Sequence, residues 1–315
     1  MQAIDYGFPY TDKSAQWLAA QQAIDTASSR LGLPSWKVSR PLLSDGATNA
    51  KQRKLADGLR PAIVYMAPAT LGSDALQDGR SRTVCANATC GCSKACLNLA
   101  GRGVQACVKA ARLGKAILFL DYRRLYLAKL RYEVARHVRL AERDNLIAVF
   151  RHNGTSDIPL EDTAPDIYSD YSTTLQGIDY TKDLARMLAF LDGRTVAGRY
   201  WPRNYHLCFS RSELTPDDTV KDILNRGGTV AVVFRHKLPT QWLSYPVADA
   251  TKHDWRWRDV PGTIQGLVAL GPAIHDTSGF VVDVPICPSA TPQVTDGYRY
   301  YLPTFVGASA TGRIR

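Results

Sequence analysis

The sequence predicts an α/β chain: a (β/α) barrel, partly closed, with mostly parallel strands and an N-terminal helical extension. Three observations carry this. Apolar runs of strand length recur along the chain. Helical or loop segments separate most of them, which argues crossover connections and a parallel sheet. Roughly seven such runs suit a barrel. A doubly wound open sheet is the alternative.

Residues 12–30 place Trp17, Ala20 and Ile24 near helical spacing and read as an amphipathic helix. Pro34 and the polar run 44–54 break it, so residues 1–60 form the extension. Residues 62–67 are apolar between prolines and read as a buried strand. Helical patterns follow at 94–113, broken near Gly101 and Gly103 and ended near Gly114, and at 116–144. In the second, Leu120, Leu127, Leu130, Val134 and Val138 make one stripe. Strands are expected at 146–150, 177–180, 205–209, 229–234, 246–248 and 263–270, with a helical segment at 217–226. Residues 61–287 are thus the barrel-like domain. Residues 288–315, rich in Thr, Tyr, Pro and Ser, form a C-terminal tail.

The chain has 315 residues and a formal net charge of +10. The excess is local: between Arg102 and Arg143 there are eleven Lys/Arg and three Asp/Glu. Lys129, Arg136 and Arg143 recur at a seven-residue spacing with Arg139 between them. These four are candidate contacts to nucleic acid or another phosphate-bearing ligand; a solvated helix face gives the same letters. No apolar run is long enough to span a membrane, and residues 1–10 have no secretory pattern. A cytoplasmic location follows as an expectation.

The densest chemical signal is Cys85, Cys90, Cys92 and Cys96, four of the seven cysteines within twelve residues. Thiolates this close can converge on zinc or an iron–sulfur cluster. Small buried hydrophobes are the bland reading. Cys107, Cys208 and Cys287 read as structural.

In a parallel barrel the site lies at the carboxyl ends of the strands. Those ends carry Asn153, Gly154, Thr155, Ser156 and Asp157; then Asp179 and Lys182; then Ser210, Arg211 and Glu213. Asp157 is the candidate ligand-orienting carboxylate. Lys182 and Arg211 are candidates for neutralising an anionic group. His206 reads as a core histidine unless it faces the barrel axis. The run 255–258, Trp-Arg-Trp-Arg, suits base stacking as well as a surface strand with cation–π pairs.

Three stretches resemble the phage gene product 88 family: 85–103, 151–158 and 204–213, with weaker support at 179–182 and 230–234. The resemblance implies Cys85, Cys92 and Cys96 as the family's cysteines and Cys90 as an extra. More loosely, cysteines after a first strand, then a helix, then a strand ending in a Gly-containing loop, resemble the radical S-adenosylmethionine architecture. That likeness implies a [4Fe–4S] cluster on the three cysteines. It also implies S-adenosylmethionine held by Asn153, Gly154, Thr155, Ser156, Asp179 and Ser210. The usual Cys-x3-Cys-x2-Cys spacing is absent. The leading expectation is an iron–sulfur enzyme in the host cytoplasm acting on a nucleotide, nucleic acid or small anionic substrate. The alternatives are a non-catalytic nucleic-acid-binding protein whose cysteines hold structural zinc, and an accessory protein acting by protein contact.

Overall fold

The structure is a computed structural model and describes residues 14–46, 58–68, 83–96, 99 and 101–284. Cys287 and the tail lie outside the described residues. The elements are α1 (Ala15–Arg30), β1 (Ser44–Asp45), β2 (Leu59–Ile63), α2 (Cys90–Lys94), α3 (Ala106–Asp121), α4 (Arg123–Arg143), β3 (Ile147–Arg151), α5 (Leu160–Thr163), α6 (Asp166–Ser169), β4 (Leu175–Thr181) and α7 (Leu184–Leu191). They continue as β5 (Tyr205–Ser210), α8 (Asp217–Asn225), β6 (Val230–Phe234), β7 (Gln241–Trp242), β8 (Tyr245–Asp249), β9 (Ile264–Val268) and β10 (Val281–Val282).

All ten strands belong to one mixed, mostly parallel sheet ordered β1-β2-β3-β4-β5-β6-β9-β8-β7, and its path does not close. The run β2 to β6 and on to β9 is parallel throughout. Among the described strands only the two-residue edge strands β1 and β7 run antiparallel. The strands at 147–151, 205–210 and 230–234 fall within a residue of the expected ones. Two helical expectations change. Gly114, read as a helix end, lies inside α3 because the Trp36 ring packs where its Cβ would be, 2.5 Å from Trp36 Cε3. The break falls instead at Tyr122, whose φ of −126° and ψ of 46° leave the helical region.

The two faces of the sheet differ. On one, Ala148, Phe150, Leu175, Leu207, Val230 and Val232 join α1, α3 and α4 in the main core. Trp17, Ala20 and Ile24 of the N-terminal helix are part of it. On the other, Leu59, Val149, Ile178 and Trp255 form only a small cluster. A parallel sheet normally buries both faces under helices. Here a loop at 253–259 and a segment at 271–283 do the covering, and Arg151, Gln176, Tyr180, His206 and Ser210 stay half-exposed. These residues mark the incompletely covered part of the face, the groove side of the sheet.

One further feature shapes the carboxyl ends. β5 pairs Val230 and Ala231 of β6, while β10 pairs Val233 and Phe234. With β9 along the other edge of β6, β5 and β10 share one edge in succession. The sheet forks after Ser210, and β10 fills the fork.

Candidate functional site

The cysteine loop leaves the carboxyl end of β2 and is held from three sides. The Cys85 thiol donates to the Thr155 carbonyl at 3.2 Å, and the Asp157 N–H donates to the Val84 carbonyl. Thr89 caps α2 by accepting from the Cys92 N–H. Glu213, beyond β5, accepts from Thr89 Oγ1 and from the Gly91 N–H, both at 2.7 Å. Gly91 has no room for a side chain: a Cβ would meet Ser278 Oγ, Phe280 Cβ at 2.6 Å and Glu213 Oε2 at 2.8 Å.

Cys85, Cys92 and Cys96 share one electrostatic neighbourhood. Burial pushes the Cys85 thiol up to about 12, with smaller upward pushes from Cys96, Asp157 and Cys92 and a downward pull from Lys182. Cys92 is raised for the same first reason, against Lys182. Cys90 is exposed. The donor set is soft and threefold, which suits iron–sulfur or zinc chemistry. Yet among the described residues no three His, Cys, Asp or Glu side chains are gathered into a set able to hold a metal ion. The thiols are neighbours without being a formed ligand cage.

The loop after β3 is stitched into the protein. Asn153 Oδ1 accepts from Ser156 Oγ and the Ile158 N–H. Its amide nitrogen donates to the Ile158 carbonyl and to Asp179. Thr155 Oγ1 donates to the Met66 carbonyl at 2.6 Å. A Cβ on Gly154 would lie 2.7 Å from the Val64 carbonyl oxygen. Asp179, fully buried, also accepts from the Asn153 N–H and from Tyr205 Oη. Burial pushes its carboxyl up to about 6, while Arg186 and Arg151 pull it back. These groups brace the loop with their side chains and leave few of their polar atoms for a ligand.

Asp157 likewise accepts from the Lys182 N–H at 2.8 Å and from Arg186 Nη1 at 3.1 Å. It orients the strand ends. Lys182 Nζ donates to Ser210 Oγ at 2.7 Å and lies 5.1 Å from the centre of the Phe280 ring. Burial lowers its pKa, opposed by Cys92, Asp157, Glu213 and Cys85. Arg211 Nη1 donates to the Gly279 carbonyl at 2.8 Å and the Phe280 carbonyl at 3.3 Å, stapling the entry to β10. So Cys85, Cys92, Cys96, Asp157, Lys182, Ser210 and Arg211 all lie at the carboxyl ends of the parallel strands. Sequence reading names Glu213 only as one polar residue among several, because its partners are set by the fork. Arg186 and Glu161 carry no sequence signal of their pairing.

The positive quartet on α4 is not one exposed face. Lys129 is buried and pairs with Glu133 at 3.0 Å, because Glu133 is fixed by the N–H groups of Leu42 and Leu43. Arg143 is exposed and pairs with Asp144 at 2.8 Å. Arg139 is half-exposed, and Arg136 is exposed. Arg136 lines a cleft of about 340 Å3 with Tyr132, Arg60 and Asp45 beside α4. A second cleft of about 350 Å3 lies between α1 and Tyr122. Neither contains a cysteine. The run 255–258 splits: Trp255 and Arg256 are buried, while Arg258 sits over a half-exposed Trp257. His206 meets Gln176 at 3.1 Å beside Trp257. Cys208 is buried, and Cys107 is exposed. No described helix is long and apolar enough to cross a membrane.

Neither a curated protein nor a solved structure matches the chain. A family model described as gene product 88 matches residues 36–284. That span takes in the cysteine loop, the braced loop after β3 and the fork with its covering segment. It is well over half of the sequence, and the chain belongs to the gene product 88 family.

Proposed function

We propose that this protein is an iron–sulfur enzyme acting on a nucleotide or another small anionic substrate at the carboxyl ends of a partly closed (β/α) barrel. One observation carries the reading: Cys96 and Cys92 both act on the Cys85 thiol, and Cys96 acts on the Cys92 thiol, next to Lys182 and Asp157, while Cys90 is exposed. Three thiolates are the number that leaves one iron of a [4Fe–4S] cluster open. A bound cluster would supply electron transfer and would ionise the Cys85 thiol that burial otherwise keeps protonated.

The chain's own residues do the rest. Glu213 and Thr89 hold the loop that carries Cys92. Lys182 places a positive charge beside the thiols. The six parallel strands in sequential order, from β2 to β9, support the barrel reading. The proposal does not extend to S-adenosylmethionine held by Asn153, Thr155, Ser156 and Asp179, because those side chains have internal partners.

Anaerobic purification followed by an absorption spectrum and analysis for iron, sulfide and zinc tests this. A brown protein is expected, with iron and sulfide lost in Cys85→Ala, Cys92→Ala and Cys96→Ala and kept in Cys90→Ala. A colourless protein with one zinc selects the structural-zinc alternative. A protein free of all three refutes both.

A further inference from the structure

The cations expected to meet an anionic ligand have protein partners: Lys182 has Ser210, and Arg211 has the carbonyls of Gly279 and Phe280. Arg151, the last residue of β3, does not have enough of them. Its side chain is 15% exposed, and its guanidinium lies 4.7 Å from the centre of the Tyr180 ring. Nε donates to the Asn153 carbonyl at a long 3.3 Å. The nearest carboxylate oxygen, on Asp254, is 3.7 Å from Nη1, an ion pair without a hydrogen bond. Asp254 is drawn aside toward Tyr180 Oη, at 3.3 Å. Among the described residues, neither Nη nitrogen has an acceptor within hydrogen-bonding distance.

A guanidinium is always charged and carries four N–H donors on its two Nη nitrogens. Neither nitrogen is among the described polar atoms buried without a partner, so both are open to solvent and to a ligand. Those nitrogens sit on the groove face of the sheet, where Tyr180 and Ser210 also remain half-exposed. The Tyr180 ring lies against the guanidinium. What is missing is a planar, two-oxygen acceptor.

We infer that Arg151 is an oxyanion subsite of the groove, receiving a carboxylate or phosphate group of a small ligand through its free Nη donors. The inference stands on the groove alone and does not need a metal. Protein that lacks iron and zinc yet binds an oxyanion through Arg151 keeps it and ends the cluster reading.

The test is thermal unfolding of the full chain at constant ionic strength, titrated with inorganic phosphate, acetate or chloride. Saturable stabilisation by phosphate or acetate over chloride is expected, and which of the two saturates identifies the group. Arg151→Gln should weaken it by about tenfold or more. Arg151→Lys, which keeps the charge and loses the fork, should restore only part. Arg203→Gln, an exposed residue of the turn before β5, should leave it unchanged. Equal titrations in wild type and Arg151→Gln, or no saturation by either oxyanion, would overturn the inference. If Arg151→Gln fails to fold, phenylglyoxal labelling of wild type decides: Arg151 should react, and the saturating anion should protect it. Labelling that the anion does not slow would overturn it equally.

Discussion

The sheet has a buried polar cluster on each face, and the two are built differently. On the helix face, Arg186 meets Glu161 through two hydrogen bonds, at 2.6 and 2.8 Å, and also reaches Asp157 and Tyr205 Oη. Tyr205 in turn donates to Asp179, which Asn153 also serves. Within this set donors and acceptors are matched, while Tyr168 Oη and Asn204 Oδ1 beside it are buried without a partner. On the groove face, Arg151, Tyr180 and Asp254 touch at 3.3 Å or more and leave the Nη donors of Arg151 over. Charge and burial alone do not separate a brace from a binding site. Completeness of hydrogen bonding does.

The largest effect that can break this comparison comes from removing each arginine. Arg186→Met strands Glu161, fully buried, and loosens Asp157 and Asp179. It should cost about 3–5 kcal/mol of stability or prevent folding, as loss of one partner in a buried pair does. Arg151→Met should cost less, about 1–3 kcal/mol, since its pairing with the buried Asp254 is long and incomplete. Urea unfolding measures both. Equal losses would mean that the groove cluster is a second brace.

Proton linkage sharpens the same contrast from the helix side. The Asp179 carboxyl is raised from 3.8 to about 6, chiefly by burial. Folded protein therefore keeps this proton after the unfolded chain has released it. Wild type should lose stability relative to Asp179→Asn as pH rises through that window, by on the order of 3 kcal/mol, and the gap should stay constant above it. His152 acts oppositely: burial lowers it to about 3, so its contribution is lost as pH falls below 6.5. Comparing the two proteins at each pH cancels the histidine. A gap that does not change between pH 4 and pH 6 would show Asp179 to be ionised throughout, as a carboxylate balanced by its arginines.

A third test sits where the faces meet, at the fork. Gly91→Ala forces a methyl group against Ser278, Phe280 and Glu213. Overpacking of this kind should cost about 1–3 kcal/mol. It should also release the Glu213 clamp, so that Cys92 alkylates faster in the folded variant than in wild type. An unchanged alkylation rate would show that Glu213 does not control the loop.

Much of this architecture is legible in the letters. Apolar runs such as 230–234 have one stable use, a buried parallel strand, so β3, β5 and β6 fall where expected. The cysteine loop and the polar strand ends are legible because both follow from chain order: each parallel strand delivers its next residues to the same end. Three things are not. β10 is two residues long and owes its place to the fork, which no local pattern encodes. Gly114 carries the letter of a helix end and serves instead as a seat for Trp36. Arg151 is not singled out among the strand-end residues, because the match between its donors and nearby acceptors depends on where Asp254 and Tyr180 arrive from distant strands and loops.

The smallest expected effect concerns α4, where charge was concentrated in the sequence. Lys129 belongs to the interior with Glu133, whereas Arg136 and Arg143 are exposed and Arg139 is half-exposed. Changing those three to Glu should alter stability by no more than about 0.5 kcal/mol each, as surface substitutions do, because the buried side of the helix is untouched. If nucleic acid is a partner through this surface, wild type should bind it with a log–log salt slope near −0.7 to −0.9 per phosphate contact, and the triple variant should lose that slope. The oxyanion response assigned to Arg151 should survive in the triple variant, since α4 packs on the helix face of the sheet and Arg151 opens on the other. Loss of both responses together would tie the groove to the helix surface and erase the distinction between the two faces.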